Sequence, residues 1–538
     1  MNVATLLKKA ARVHAQEVAL RHGRNEIRYA ELDARTDRLA SGLRGLGLAA
    51  GDRLVLWLHN RPELVELLLA SWKAGLVAVP VNVRLHPREL AHIATDCGAA
   101  ALAVEEPLVE SVEAVRRELP PEVGLVRVGG DGGASPGYDA LLEEEPLATS
   151  EVAEDDVAWL FYTSGTTGRP KGAMLTHRNL VAMTMNCLAD ICSFQPEDVV
   201  LHIAPLTHGS GLYLLPALAR GSLNVISHHR SFEPAQVFEL IASQRVTVIA
   251  FLAPTMIVKL IGDPGLGAYD LSSLRCVPYG GGPMYVEDLK RAIDLLGPIW
   301  VQLYGQAETP MTGLYLRSRE HRYDTPEAER RLGSAGIPRT DIELRIVDLD
   351  GRDLPDGEVG EILIRGATVM KGYWANPTAT EETIRDGWLH TGDLGYRDRD
   401  GYVYLVDRAR DVIVSGGNNV YAREVEEALL THPEIVEAAV IGVPDPYWGE
   451  SVHAIVAVRP GSALGEEDVI RHCRTMLASY KKPRSVEFVS ELPKNAYGKV
   501  LKRELRERYW SGYERRVGGG RRGASSPGSG RSGGQVSG

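Results

Sequence analysis

Apolar residues recur at helical spacing across 28–46, at Tyr29, Leu32, Leu39, Leu43 and Leu46, and Gly45 and Gly47 mark the end of the predicted helix. A turn at Gly51-Asp52 leads into the strand-like run Leu54-Val55-Leu56-Trp57-Leu58. Strand and helix signals alternate as far as Gly297-Pro298, the pattern of an α/β domain with mostly parallel strands. From Asp341 the period shortens. Alternating runs are punctuated by Asp350-Gly351, Asp356-Gly357 and Asp400-Gly401, pairs that signal hairpins, the last followed by Tyr402-Val403-Tyr404-Leu405-Val406. Beyond Arg410, helices over 422–431 and 466–477 with strands over 435–443 and 452–458 predict a small α+β domain of its own. The expected fold is α/β: a large N-terminal domain of layered αβ sheets plus a β-rich subdomain, then a small C-terminal domain. Its boundary falls near Asp407 to Arg410, giving domains over 1–408 and 409–510.

Composition adds exclusions. A chain of 538 residues would by length alone hold three or four domains. With 44% hydrophobic and 24% charged residues it is not disordered, collagen-like or a mini-protein. Ten of the 56 glycines lie in the last 28 positions beside six Ser and five Arg, so 511–538 is predicted to be a disordered tail. That tail carries +4 of a formal −11, leaving −15 up to Trp510. An acidic body argues against nucleic acid as a partner, because such surfaces need clustered cations. Five cysteines (Cys97, Cys187, Cys192, Cys276, Cys473), odd in number and without CxxC spacing, fit a reducing compartment and offer no metal site. The first residues lack the apolar core of a signal peptide. The longest apolar stretches are broken by Glu66, Lys73 and Pro80 or are too short to span a bilayer. A cytoplasmic enzyme or binding protein without an integral membrane segment is expected, and a homodimer is compatible with all of this.

The chemistry concentrates in Trp159-Leu160-Phe161-Tyr162-Thr163-Ser164-Gly165-Thr166-Thr167-Gly168-Arg169-Pro170-Lys171-Gly172. An apolar strand runs into a loop of small hydroxyl and Gly residues, where backbone N–H groups and hydroxyls converge on phosphate oxygens with Lys171 nearby. The spacing is not that of a Walker A loop. This segment resembles the phosphate loop of the adenylate-forming superfamily, which includes acyl-CoA synthetases. Further matches follow in that family's order: Tyr304-Gly305-Gln306-Ala307-Glu308, Thr391-Gly392-Asp393-Leu394-Gly395, Asp407-Arg408-Ala409-Arg410-Asp411, and Pro493-Lys494-Asn495-Ala496-Tyr497-Gly498-Lys499. The resemblance covers about 28–505. It implies two domains rather than three or four, the small one mobile about a hinge near Arg408, and ATP, Mg²⁺ and CoA as cofactors.

It also implies roles, residue by residue. Thr163, Ser164, Gly165, Thr166, Thr167, Gly168 and Lys171 would hold the β- and γ-phosphates. Gly281, Gly282 and Pro283 would lie along the adenine, where missing side chains permit close approach. Tyr304 would stack on the base, with Gln302, Gly305 and Gln306 grouped around the nucleotide, and Glu308 would help hold Mg²⁺. Asp393 would accept from the ribose hydroxyls. Arg408 would reach ribose and phosphates, while Arg410 falls at the hinge. Lys499 would be the catalytic cation bridging the substrate carboxylate and the α-phosphate. After adenylation the small domain would turn, withdrawing Lys499 and presenting the side of Gly416 and Gly417 for attack by the CoA thiol.

Ala307 departs from the family, which mostly has Thr or Ser there. Thr309 is displaced in register. An Ala at this place also resembles fatty acyl-AMP ligases, which deliver to a carrier protein, but no inserted segment of that group is present. Ala204-Pro205-Leu206-Thr207-His208-Gly209-Ser210-Gly211 resembles the loop near the bound carboxylate, with His208 orienting the substrate without proton transfer. Amino-acid-activating relatives place an Asp here, and its absence favours a simple carboxylic acid. The expected function is an ATP-dependent, AMP-forming acyl-CoA ligase for a fatty or aromatic acid. The alternatives are an acyl-AMP ligase serving an acyl carrier protein and a nucleotide-binding homologue without turnover.

Overall fold

The computed structural model describes residues 1–120, 122–129, 137–163, 170–282, 284–408, 411–416, 418–494 and 500–510, with Thr163 through its backbone only. The chain divides into two compact units. The first comprises Met1–Val406 with Pro493–Leu501; the second comprises Asp407–Leu492 with the chain from Lys502 onward.

Three sheets of five, six and four strands, followed by a β-rich five-stranded one, build the first unit. In the six-stranded sheet, strands Gly124–Val128, Ala99–Glu105, Arg53–Trp57, Val77–Pro80 and Val157–Thr163 run parallel, and only the edge strand Lys171–Thr176 is antiparallel. Their apolar side chains are buried on both faces, as parallel strands covered by helices require. The helix predicted over 28–46 is Tyr29–Gly45. It packs on Pro62–Lys73, a helix buried over almost its whole length.

Two charges that interrupt that apolar run are buried with it. Lys73 Nζ reaches Asp33 Oδ1 and Asp37 Oδ1, each at 2.6 Å, and Glu66 pairs with Arg35 and accepts from Tyr138. Asp33, Arg35 and Asp37 all come from the neighbouring helix at i, i+2 and i+4 spacing. The charges are tolerated in the core because each is paired and hydrogen-bonded.

Of the three Asp-Gly pairs, Asp400-Gly401 turns between strands Trp388–Arg397 and Val403–Arg408, with Gly401 at φ +89°. Asp350-Gly351 turns a short hairpin closed by the bridge Val347 to Asp353. Asp356-Gly357 differs from the hairpin expectation: Gly357 N donates to Arg397 O at 2.8 Å, so this glycine lays the connection along another strand rather than reversing the chain.

The second unit has its own five-stranded sheet with Gly449–Val458 at its centre and Ile435–Asp445 along one edge, and helices Ala422–Leu430 and Glu466–Arg474 pack on it. Among the described residues no helix is long and apolar enough to cross a membrane.

A short segment, Met370 to Trp374, crosses from the β-rich sheet to the edge strand Lys171–Thr176. Met174 N donates to Gly372 O, Lys371 N to Met174 O and Trp374 N to Gly172 O, at 2.8–2.9 Å. Asn179 anchors this crossing. Its Nδ2 donates to Ala367 O and Val369 O at 2.8 and 2.9 Å, while its Oδ1 accepts from Thr176 N and so caps its own helix, His177–Asp190. Asn179→Ala would strand two buried carbonyls and break the cap, at a cost of about 2–4 kcal/mol. A lowered calorimetric midpoint for the first unit is the expected result; an unchanged midpoint would show that the crossing is held elsewhere.

Candidate functional site

The antiparallel pair Val157–Thr163 and Lys171–Thr176 sets the ends of the Gly/Ser/Thr loop opposite one another, with Thr163 in register with Lys171 and Tyr162 with Gly172. Gly172 is required there, since a Cβ would stand 2.9 Å from the Tyr162 ring. Ser164, Gly165, Thr166, Thr167 and Gly168 lie outside the described residues, as do Pro283, Arg410, Gly417 and Lys499. Lys171 is described, and its ammonium lies over the Tyr373 ring, 5.1 Å from the centroid.

Strand Trp300–Tyr304 delivers Gln302 and Tyr304. The Tyr304 hydroxyl donates to Asp393 Oδ2 at 2.8 Å, and Gln306 Nε2 donates to the same oxygen at 2.8 Å and to Thr391 O at 2.8 Å. Three residues from two distant motifs thus form one network, and the Asp393 carboxylate, 7% exposed, is oriented by it. Gln302 Oε1 accepts from Tyr279, on the neighbouring strand Val277–Gly280 that runs into Gly281 and Gly282. Gly281 has φ +79°, a conformation that side chains with a Cβ rarely adopt. Gly305 admits no side chain either, as a Cβ would meet the Met311 carbonyl carbon at 2.5 Å.

Glu308 follows at once. Its Oε1 accepts from the Tyr373 hydroxyl at 2.7 Å and its backbone carbonyl from Met370 N at 2.7 Å. Ala307 packs partly buried against the large core. The Thr309 hydroxyl, fully buried, accepts from Gln306 N and turns back on Gln306 O, closing the turn, so it does not stand in for the hydroxyl that Ala307 lacks.

The loop with His208 is held from both sides. Asn60 donates to Ala204 O and accepts from Leu206 N, each at 2.9 Å. His202 donates Nε2–H to Asn224 Oδ1 at 3.0 Å and accepts at Nδ1 from Ser210 at 2.9 Å. A Cβ on Gly211 would fall 1.8 Å from Leu206 O, so only glycine fits. The His208 ring meets Phe161 edge-on at 5.0 Å and contacts Thr207 Oγ1 through Nδ1. Desolvation pushes its pKa down to about 3, leaving it neutral at working pH. The space over Gly209 is filled by Met311 and Phe251, and Phe251 also approaches Gly281. Met311 holds φ +60°, a strained conformation for its side chain.

In the second unit, the segment around Arg408 is built on ion pairs. Asp407 Oδ2 accepts from Ala422 N at 2.6 Å, Asp411 pairs with Arg506 at 2.6 Å, and Lys502 pairs with Glu426 at 2.7 Å. Burial opposes the Lys502 charge, but Glu426, Asp407 and Asp411 outweigh it and hold the ammonium above its usual range. Gly416 has φ +58°, and a Cβ would stand 2.5 Å from the Trp448 ring.

The motifs did not reveal Tyr373, Asn60 or Phe251. Tyr373 carried a local signal, an aromatic pair after Lys371-Gly372 and before Pro377, but its partners are far away in sequence.

Residues 7–374 match the AMP-binding enzyme family, and residues 424–499 match the AMP-binding enzyme C-terminal domain. A feruloyl-CoA synthase from an Amycolatopsis species is 40% identical over 503 residues, covering 93% of this chain and 98% of that protein. A fatty acid–[acyl-carrier-protein] ligase of Streptomyces coeruleorubidus is 36% identical over 498 residues, covering 91% and 93%. Among solved structures, an anthranilate CoA ligase in complex with anthranoyl-AMP aligns with a TM-score of 0.86 at 28% identity, covering 95% of this chain and 97% of that one.

Four buried or crowded imidazoles give the first unit a characteristic acid response. His208 is lowered to about 3 and His177, His202 and His321 to about 4, all chiefly by burial. Unfolded, each would charge near 6.5, so below that pH the unfolded chain binds more protons and stability falls. The fall begins as pH drops through about 6.5 and continues to about 4, at up to about 1.4 kcal/mol per pH unit for each fully buried ring. The calorimetric midpoint should drop between about pH 7.5 and about pH 5 and drop less in His321→Gln; equal midpoints would contradict the assignment.

Proposed function

The chain belongs to the AMP-binding enzyme family and is an AMP-forming acid–thiol ligase, and from that premise we propose that it activates an aromatic or fatty carboxylic acid with ATP and transfers it to CoA. A carboxylate oxygen attacks the α-phosphorus, the bond to the β-phosphate oxygen breaks, and pyrophosphate leaves. The CoA thiol then loses its proton and attacks the acyl carbon, and AMP departs with both electrons of the acyl–oxygen bond.

The residues present are suited to these steps. Lys171 and the loop from Thr163 hold the β- and γ-phosphates. Gly281 and the Tyr304 ring flank the adenine. Asp393, already oriented by Tyr304 and Gln306, receives the ribose hydroxyls. Among the described residues no group of three or more His, Cys, Asp or Glu could hold a metal. A single carboxylate, Glu308, fits Mg²⁺, which binds through one or two carboxylates plus substrate phosphates and neutralises charge on the triphosphate. His208, neutral, orients the acid and moves no proton. Lys499 supplies the cation where charge develops on the α-phosphate, Arg408 reaches the ribose, and the turn at Gly416 serves the thiol step.

The observation that supports an aromatic acid is the wall over Gly209. Phe251 and the Met311 thioether pack over Gly209 beside the His208 ring, aromatic and polarisable partners for an aromatic acyl group. The loop 204–211 holds no carboxylate that could pair with a substrate amine. A second reading, an acyl-AMP ligase serving a carrier protein, is favoured by Ala307 and by the carrier-protein ligase at 36% identity.

ATP–pyrophosphate exchange over a panel of aromatic and fatty acids, with mass spectrometry of the thioester, tests the reading. Exchange with cinnamate-type or benzoate-type acids and AMP release on adding CoA is expected. Release only with a phosphopantetheinylated carrier would establish the second reading, and silence with every acid despite ATP binding would make the chain a binder. Lys499→Ala should slow adenylation by about 10²–10³-fold while sparing thioester formation from supplied acyl-adenylate. Gly416→Leu should do the reverse, because its side chain must displace Trp448. Equal losses in both half-reactions would remove either assignment.

A further inference from the structure

Tyr373 touches both halves of the phosphate site. Its hydroxyl donates to Glu308 Oε1 at 2.7 Å, and its ring lies under the Lys171 ammonium, 5.1 Å from the centroid. The peptide that carries it has little freedom. Trp374 N donates to the carbonyl of Gly172, the residue after Lys171, at 2.8 Å; Met370 N donates to the carbonyl of Glu308 at 2.7 Å. Tyr373 N itself donates to Thr380 Oγ1 at 2.9 Å. Gly372, at φ +142°, cannot gain a side chain without meeting Thr380 at 2.6 Å, so the backbone path into Tyr373 is fixed as well.

Lys171 and Glu308 carry opposite charges. Two such groups in one site, left to themselves, would pair and cancel, and both would then have to be separated before ATP and its metal could be seated. Tyr373 gives each a partner that leaves its charge intact: a hydrogen-bond donor for the carboxylate and a ring quadrupole for the ammonium.

We propose that Tyr373 is a positioning residue that fixes the separation of the phosphate-binding lysine and the metal-holding glutamate, so that the triphosphate and its Mg²⁺ are received as one unit. This rests on the assignment of Lys171 and Glu308 made above.

Equilibrium binding separates the two contacts. Mn²⁺ binding to the ATP-loaded protein is followed by electron paramagnetic resonance, and ATP binding in EDTA by calorimetry, with no acid or CoA present. Tyr373→Phe keeps the ring and removes the hydroxyl, so Mn²⁺ half-saturation should rise about tenfold with metal-free ATP affinity unchanged. Tyr373→Leu removes both, and metal-free ATP affinity should fall as well. Glu308→Gln is the reference, and Tyr373→Phe added to it should cost nothing further in Mn²⁺ binding. Wild-type Mn²⁺ binding in Tyr373→Phe alongside weak binding in Glu308→Gln overturns the proposal and leaves the metal assignment standing. Wild-type binding in Glu308→Gln itself removes the metal assignment instead. A Phe variant that cannot be recovered folded overturns the proposal too, because the hydroxyl would then serve stability rather than position.

Discussion

The pairing of the strand Lys171–Thr176 with the chain at 371–374 joins segments some two hundred residues apart, and much of the candidate site hangs on it. The edge strand Lys171–Thr176 has one neighbour in its own sheet, Val157–Thr163. Its other side would be an open edge, and Gly372 and Trp374 occupy it instead. Closing that edge brings the β-rich sheet, which carries Asp393, into one body with the parallel sheet that ends in the loop. Asn179 then satisfies two carbonyls of the crossing with a single amide.

Among the described residues electrostatics follows one rule: charges are placed in the interior with partners, and deeply buried imidazoles are neutral. Lys73 sits between Asp33 and Asp37, and Glu66 between Arg35 and Tyr138. His202 uses both ring nitrogens in hydrogen bonds to Ser210 and Asn224, which holds the 204–211 loop without a charge. Lys502 in the second unit repeats the arrangement, a half-buried ammonium paired with Glu426 and stabilised further by the charges of Asp407 and Asp411. Asp407 and Asp411 are each tied within the second unit, the first to the start of helix Ala422–Leu430 and the second to Arg506.

Local patterns were readable where the determining residues are close together. The helix Tyr29–Gly45, the parallel strands and the turn at Asp400-Gly401 follow from periodicity and turn chemistry. The motif residues Tyr304, Gln306 and Asp393 were each legible, but their convergence on one carboxylate oxygen was not, because nothing in either motif states its distance from the other. Asp356-Gly357 has the composition of a hairpin turn, yet Arg397, forty residues on, decides its path. Glu66 and Lys73 read as interruptions of an apolar stretch; their partners sit on another helix, so burial could not be inferred from the run itself. Tyr373 was missed for the same reason, since its two contacts are 65 and about two hundred residues away.

Gly211 sets a limit on how this protein could change over generations. The carbonyl of Leu206 fills the place where a side chain at 211 would begin, and Asn60 fixes the same carbonyl's neighbours. No single codon change at that position can reshape the loop. Change beside this loop is open instead to Phe251 and Met311, whose side chains end over Gly209. Met311 holds φ +60°, a backbone conformation that glycine or asparagine would relax, and neither is a single base change away from a methionine codon. Variation is therefore open to the side chains packed over the loop and closed to the path of the loop itself.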